Sequence, residues 1–232
     1  MCGRYASFRQ AQELADIFEI DVVSPVAESL PPSWNVAPTQ AARIVREEAP
    51  REELVRILDA GKWGLVPTWA KDESIGNRLI NARSETITEK PSFRGPAIYS
   101  RCVVPVEGYY EWKAAPPGRR AKTPYFIHAA DGGPIALAGL TTLWRDELRT
   151  FTIATRAASG DIAEIHDREP AMLRPEDVAE WLNPSQRDPH AVAAMLSGPR
   201  PAVVFHEVST EVNAPRNNTP HLVESVQGST LL

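Results

Sequence analysis

The segment Val103-Val104-Pro105-Val106-Glu107-Gly108-Tyr109-Tyr110-Glu111-Trp112 predicts two strands joined by a glycine bend. Its halves are rich in β-branched and aromatic residues, which favour strands, and Gly108 supplies backbone freedom for the bend. Further along the chain, the strand-like runs 125–128 and 135–140 flank Asp131-Gly132-Gly133. Two such runs around an Asp-Gly pair predict a β-hairpin.

Further strands and helices are predicted on both sides of this segment. The strands are 42–46 and 54–58, across a charged turn, with 150–155 and 202–208; the helices are 8–18, 175–182 and 190–196. Long alternation of helices with parallel strands is absent, which disfavours a doubly wound sheet. The sequence therefore predicts an α+β fold: one strand-rich domain over residues 1–232, with a mostly antiparallel, barrel-like sheet and a few peripheral helices. The polar tail after about residue 213 is expected to be partly loose.

Composition narrows the class of protein. Proline makes up 21 of the 232 residues, about 9%, against a usual ~5%, which favours strands and irregular connections over long helices. Neither a membrane-length apolar run nor a secretory signal is visible. We expect a soluble cytoplasmic protein, associated with the nucleoid if its source is bacterial. The net charge of -5 argues against a non-specific coat for nucleic acid but permits a local basic groove.

The opening Met1-Cys2-Gly3-Arg4-Tyr5 carries unusual chemistry. Cysteine is small enough for methionine aminopeptidase to remove Met1, which leaves an α-amine and a thiol on adjacent carbons. The amine titrates near ~7.7–8.0 and the thiol near ~8.5, so both are partly reactive at neutral pH. This pair can condense with an aldehyde and close a thiazolidine ring, or act as an N-terminal nucleophile. The ordinary alternative is a small residue that happens to follow the start.

The two cysteines give little evidence for a metal site. Cys2 and Cys102 are the only cysteines, and no histidine lies near either at zinc-ligand spacing. A disulfide between them is disfavoured in a reducing cytosol.

Polar and aromatic residues also interrupt otherwise apolar segments. These segments are 63–69, 81–86, 107–112 and 165–170. Each has an ordinary explanation: Asn81 as a turn residue, Glu111 on the solvent face of a strand, His166 in a surface loop, and Trp69 as a core anchor.

Together these segments resemble one family. The chain closely resembles the SOS-response-associated peptidase (SRAP) family in seven pieces that run in family order. They are Met1-Cys2-Gly3-Arg4-Tyr5, Trp34-Asn35-Val36-Ala37-Pro38, Trp63-Gly64-Leu65-Val66-Pro67-x-Trp69, Ile80-Asn81-Ala82-Arg83-Ser84-Glu85-Thr86, Arg101-Cys102-Val103-Val104-Pro105, Gly108-Tyr109-Tyr110-Glu111-Trp112 and Ile165-His166-Asp167-Arg168-x-Pro170. One departure is Val106-Glu107-Gly108, where relatives often have Ala-Asp-Gly; the acid is longer by a methylene.

The resemblance implies a sensor and shield for abasic sites in single-stranded DNA. Family members cross-link to the abasic sugar through the N-terminal cysteine. The residues that match the family's catalytic set are Cys2, Asn81, Glu111 and His166. The expected partner is single-stranded DNA with abasic sites, with a preference for strand junctions left open, and no membrane. No metal or organic cofactor is needed.

The residue types suit that chemistry. A partly buried Glu111 could donate a proton to the sugar ring oxygen and release the aldehyde. The Cys2 amine would then form an imine, and the Cys2 sulfur would close the ring. Asn81 could hold the amine or the sugar, and His166, beside Asp167, could shuttle protons.

DNA binding needs backbone charge and a stacking surface. The candidates for phosphate contacts are Arg4, Arg78, Arg83 and Arg94. Trp69 is either an exposed wedge against a base or a core anchor, and the sequence leaves both open. Asn35 and Thr155 are weaker candidates for lining the groove.

Two other classes of protein remain open on the sequence. One is a cysteine peptidase, perhaps acting only on itself, with Cys2 as nucleophile and His166 as base. The other is a non-covalent binder of single-stranded DNA in which Cys2 has no chemical role.

Overall fold

The computed structural model describes residues 2–49, 53–115 and 121–226, and its fourteen strands form two sheets. In chain order they are β1 (Tyr5–Ser7), β2 (Val22–Val23), β3 (Ser33–Val36), β4 (Ala41–Glu48), β5 (Val55–Trp63), β6 (Asn81–Arg83), β7 (Arg101–Val106), β8 (Gly108–Lys113), β9 (Thr123–Ala129), β10 (Ile135–Trp144), β11 (Leu148–Ala157), β12 (Arg168–Pro170), β13 (Met172–Leu173) and β14 (Val203–Glu207). All the strands predicted from sequence are present, with bounds shifted by a few residues.

The helices are short and peripheral, as the sequence predicts. They are α1 (Ala11–Phe18), α2 (Pro25–Ser29), α3 (Arg94–Tyr99), α4 (Val178–Leu182) and α5 (Pro189–Ser197). Six 3₁₀ helices join them within the described residues, at Glu73–Arg78, Ser84–Thr86, Gly160–Glu164, Pro175–Asp177, Thr210–Asn213 and Pro220–Val223. Proline stands at the first turn of α2 and α5, where its missing N–H costs nothing. No described helix is long and apolar enough to span a membrane.

The larger sheet closes on itself and confirms the barrel-like prediction. Its strand order is β12-β11-β10-β7-β4-β5-β2, and β11 also pairs with β5. That last pairing is parallel and joins Thr150 to Lys62 and Phe151 to Trp63. The other parallel pairs are β2 with β5 and β6 with β11; the remaining pairs are antiparallel.

The smaller sheet has the strand order β14-β9-β8-β1-β3 and packs beside the barrel. The chain passes from one sheet to the other between β7 and β8, at the bend predicted around Gly108. A Cβ atom on Gly108 would lie 2.4 Å from Phe126 Cζ and 2.5 Å from the Ile127 carbonyl oxygen. Only glycine allows β8 and β9 to come this close.

The predicted hairpin between β9 and β10 is wrong. The turn exists, because Gly132 has a φ of 75° and the Gly133 N–H donates to Asp131 Oδ1 at 2.9 Å. However, β9 pairs with β8 and β14 in the small sheet, and β10 pairs with β7 and β11 in the barrel. Turn residues set a reversal of the chain, whereas the choice of pairing partner depends on the packing of both sheets.

Three apolar clusters fill the molecule. One lies between the barrel and the helices, and a second, which includes Cys2, Trp63 and Tyr109, lies between the two sheets. The third packs Val212 and Leu222 against the outer face of the small sheet. Leu222 thus packs against the sheet within the segment after residue 213, which the sequence predicted to be partly loose. Residues 227–232 lie outside the described part of the chain.

Candidate active site

Cys2 lies at the entry to β1 and is fully buried, with an exposed fraction of 0%. The strand that follows is central in the small sheet: Tyr5 pairs with Val36 of β3 and Tyr109 of β8. This pairing carries the start of the chain into the apolar cluster between the sheets. The tertiary position of Cys2 is thus set by backbone pairing rather than by the cysteine itself.

Burial keeps the Cys2 thiol protonated. Burial, with a smaller contribution from the nearby Glu111 carboxylate, raises the pKa of Cys2 to about 12. A cysteine that must act as a free thiolate usually lies in an electropositive, partly exposed environment. At neutral pH this sulfur is therefore a neutral thiol.

Asn81 holds the backbone of Cys2. Its Nδ2 donates to the Cys2 carbonyl oxygen at 2.8 Å. Asn81 begins β6, where it pairs with Ile153 of β11, so it is not the turn residue of the ordinary explanation. Its Oδ1 is buried and has no hydrogen-bond partner among the described residues, which leaves one acceptor for a group not present in the structure.

Glu111 faces the interior, and its solvent-face alternative is wrong. Successive residues of a strand point to opposite faces. Tyr110 and Trp112 pack with the C-terminal segment, while Tyr109 belongs to the cluster around Cys2. Glu111 follows the Tyr109 side and is only 3% exposed.

His166 approaches Glu111 from a different part of the chain. Its Nε2 lies 4.0 Å from Glu111 Oε1. Its Nδ1 accepts the Arg168 backbone N–H at 3.0 Å, so the neutral ring carries its proton on Nε2, toward Glu111. The exposed Asp167 carboxylate lies 2.8 Å from the same Nδ1. The ring thus lies between the buried Glu111 carboxyl group and the exposed Asp167 carboxylate.

Glu107, the longer acid in the motif, has a structural role. Its carboxylate accepts the backbone N–H groups of Phe8 at 2.7 Å and Arg9 at 3.3 Å. Burial raises the pKa of Glu107, and these two hydrogen bonds and Arg9 oppose the rise. The side chain anchors the end of β1, the strand that carries Cys2.

Two residues predicted to line a DNA groove, Asn35 and Thr155, lie in the interior of the protein. Asn35 is buried; its amide donates to carbonyls that include Asn217 at 2.8 Å and accepts from Arg4 at 2.8 Å. Arg4 also donates to the Val212 carbonyl at 2.8 Å, so its guanidinium serves the C-terminal segment as well. Thr155 is fully buried on β11, where interior packing decides its position.

The other candidates for DNA contact are exposed. Arg78, Arg83 and Arg94 all reach solvent. Trp69 is 59% exposed, so the core-anchor alternative is wrong. Trp69 and Arg78 line an open groove of about 680 Å³ on the surface.

Sequence reasoning missed Arg168 as a residue of this region. Its guanidinium forms a bidentate ion pair with Glu85 and donates to the Thr155 carbonyl at 2.6 Å. These contacts hold Arg168 in place, and its backbone N–H donates to His166 Nδ1. Its place in the His166-Asp167-Arg168 motif was the only available signal.

Comparisons with known proteins agree on one family. The family model "SOS response associated peptidase (SRAP)" matches residues 1–215. Two relatives in Bacillus subtilis are "Abasic site processing protein YoqW", 39% identical with 97% of this chain and 100% of the relative covered, and "Abasic site processing protein YoaM", 37% identical with 97% and 98% covered. A crystal structure of a protein from Bacteroides thetaiotaomicron superposes with a TM-score of 0.79 at 26% identity, covering 97% of this chain and 99% of the other.

Proposed function

This chain belongs to the SOS response associated peptidase family, and on that premise we propose that it processes abasic sites in DNA by a covalent route. Cys2, freed of Met1, forms a thiazolidine with the ring-opened abasic sugar of single-stranded DNA. The observation that carries the proposal is the hydrogen bond from Asn81 to the Cys2 carbonyl, in a buried site that also contains Glu111. The relatives' names as abasic site processing proteins support the substrate class.

The first step opens the sugar. An abasic deoxyribose is mostly a closed hemiacetal, and its aldehyde appears only when the C1′–O4′ bond breaks. Glu111 donates a proton to the ring oxygen, and the C1′ hydroxyl loses its proton as the carbonyl forms. Glu111 is buried in the same site as Cys2, so its carboxyl group lies close to the bond that must break and can act there as a general acid.

The second step joins protein and DNA. The Cys2 amine attacks C1′, and loss of water gives an imine. The imine acidifies the C2′ protons and favours strand cleavage by β-elimination. The Cys2 sulfur then bonds to C1′, the thiol proton passes to the nitrogen, and the carbon becomes tetrahedral. This ring closure protects the strand, and one water is released overall.

The state of the thiol supports attack by the amine before the sulfur. With a pKa of about 12, the Cys2 sulfur is protonated at neutral pH and is a poor first nucleophile. Once the imine exists, its nitrogen can take the thiol proton during ring closure. His166, whose Nε2 is 4.0 Å from Glu111, is placed to pass protons between the two steps.

The same raised pKa weighs against a cysteine peptidase, the class that the family name suggests. A peptidase nucleophile is activated by a lowered thiol pKa or by an adjacent base. Here burial, and to a lesser extent Glu111, raises the pKa of the Cys2 thiol. Cleavage of an unrelated peptide by the purified protein is the result that would favour the peptidase class.

The proposal is tested by the intact mass of the purified protein with and without abasic single-stranded DNA. We expect the protein to lack Met1 and to gain the mass of the DNA minus one water. A matched oligonucleotide carrying a tetrahydrofuran in place of the sugar has no aldehyde and should give no adduct. Stable binding of both oligonucleotides with no covalent product would instead identify a non-covalent binder.

A further inference from the structure

The turn between β10 and β11 holds two residues in an unfavourable backbone region. Arg145 and Asp146 have φ values of 52° and 58°, and neither is glycine. Two successive positive φ values suit a tight turn between paired strands, which Asn-Gly or Asp-Gly normally supplies. A non-glycine residue in this region is strained and persists where its surroundings hold it there. The contacts of the Arg145 side chain hold this turn in place.

Arg145 and its neighbour bind two successive carbonyls of one loop. The Arg145 guanidinium stacks over the Trp144 ring, 4.2 Å from its centroid, and donates to the Lys71 carbonyl at 2.9 Å. Trp144 Nε1 donates to the Ala70 carbonyl at 2.9 Å. The cation–π contact and the two hydrogen bonds thus orient each other.

The loop held in this way is residues 66–72, here called the Trp69 loop. Its start is bound to the same hairpin: the Val66 N–H donates to Thr150 Oγ1 at 2.9 Å, and Thr142 Oγ1 donates to the Val66 carbonyl at 2.8 Å. The Ala70 N–H closes a turn onto the Pro67 carbonyl at 2.9 Å. Both ends of the loop are therefore fixed to the hairpin, while Trp69 between them remains 59% exposed.

We propose that the β10–β11 hairpin is the positioning element of the Trp69 loop, with Arg145 as the contact that holds the Lys71 end of the loop. The inference rests on the proposed function together with the sequence prediction that Trp69, which is exposed, stacks on a DNA base. A loop ordered before binding loses less conformational entropy when a base stacks on it. The strained turn is retained because it aims the Arg145 guanidinium at the Lys71 carbonyl.

A matched pair of glycine variants tests this role. Arg145→Gly relieves one positive φ and removes the guanidinium. Asp146→Gly relieves the neighbouring positive φ, and the Asp146 side chain has no hydrogen bond or ion pair with the described residues. Both variants should keep or raise the melting temperature, because glycine adopts positive φ without strain.

The readouts are amide hydrogen exchange in residues 67–72 and affinity for single-stranded DNA with a tetrahydrofuran site. We expect Arg145→Gly to speed exchange roughly tenfold, as local opening becomes easier, and to weaken DNA binding roughly three- to tenfold. Asp146→Gly should match the parent in both. Trp144→Phe, which keeps a ring but loses the N–H, should fall between them.

Parental exchange and affinity in Arg145→Gly would overturn the proposal. Faster exchange with parental affinity would overturn the link between loop order and DNA binding. The proposed function fails separately, if the parent forms no adduct with true abasic DNA, and the exchange measurement decides the hairpin's role even then.

Discussion

Cys2 and Trp69 lie at opposite extremes of exposure, 0% and 59%, although the first is proposed to react with the abasic site and the second is predicted to stack on a base of the same DNA. The two are nevertheless held in a similar way. Asn81 binds the backbone carbonyl of Cys2, and Trp144 binds the backbone carbonyl next to Trp69. In each case a side-chain donor binds the main chain rather than the functional side chain itself. Burial tunes the chemistry of the first residue, and exposure makes the second available for stacking.

Blocking the start of the chain should have the largest effect. A variant with an uncleaved extension before Cys2 should form no adduct, because the amine is then an amide. Cys2→Ala keeps the amine but loses the sulfur, so it should give only an imine that borohydride can trap, with more strand cleavage. Denaturing gels and intact masses measure both. A stable adduct without borohydride in Cys2→Ala would contradict the thiazolidine.

Replacing Glu111 should slow cross-linking without weakening DNA binding. Glu111→Gln should reduce the cross-linking rate roughly 10²–10⁴-fold, the usual range for a general acid. DNA affinity should persist, because the amide repels no phosphate. Single-turnover time courses across pH provide the measurement. Wild-type rates of formation and release in this variant would place the acid elsewhere.

Replacing Trp69 should have the opposite pattern, with weaker DNA binding and unchanged cross-linking chemistry. Trp69→Ala should weaken binding to single-stranded DNA by about 1–3 kcal/mol, the range for base–aromatic stacking, and leave cross-linking at saturating DNA nearly unchanged. Tyr99→Ala is the matched control, since Tyr99 is also an exposed aromatic, at 66%. Equal losses of affinity in the two variants would mean that neither ring is a specific platform.

We expect the smallest effect from replacing Glu107, whose carboxylate anchors the end of β1, the strand that follows Cys2. Burial raises the folded-state pKa of this carboxyl above its unfolded value. The protonated Glu107 carboxyl group therefore contributes its full stabilisation below the unfolded pKa, ~4.3. That stabilisation is lost as the pH rises through the folded-state pKa. The stability of the parent should thus fall relative to Glu107→Gln between acid and neutral pH. Thermal unfolding of both proteins from about pH 4 to 8 measures the difference. A constant or opposite trend would show that the Phe8 and Arg9 contacts outweigh burial.

Sequence reasoning found the residues of the Cys2 site but not their contacts. Asn81, Glu111 and His166 are spread over 86 positions of the chain, from 81 to 166. The motifs identified them through resemblance and residue chemistry. Their meeting depends on β6 pairing with β11 and on β8 pairing with β1, which are long-range contacts that local pattern does not specify.

The burial of two polar residues was unpredictable for the same reason. Asn35 and Thr155 are polar and lie in matching or nearby segments, so the sequence favoured positions along a groove. The structure buries both, because a buried amide or hydroxyl is stable when backbone carbonyls satisfy it, and only the folded chain brings those carbonyls within reach.

The sequence by itself determined the family, the strand-rich fold class and the place of a cysteine directly after Met1, because these depend on residue identity and local pattern. Only the tertiary structure decided which sheet each side of the Asp131-Gly132-Gly133 turn joins, that Trp69 is exposed, and that Arg145 donates to the Lys71 carbonyl of its loop. Strand pairing and burial depend on which distant surfaces fit together, and that fit is a property of the packed molecule rather than of any segment.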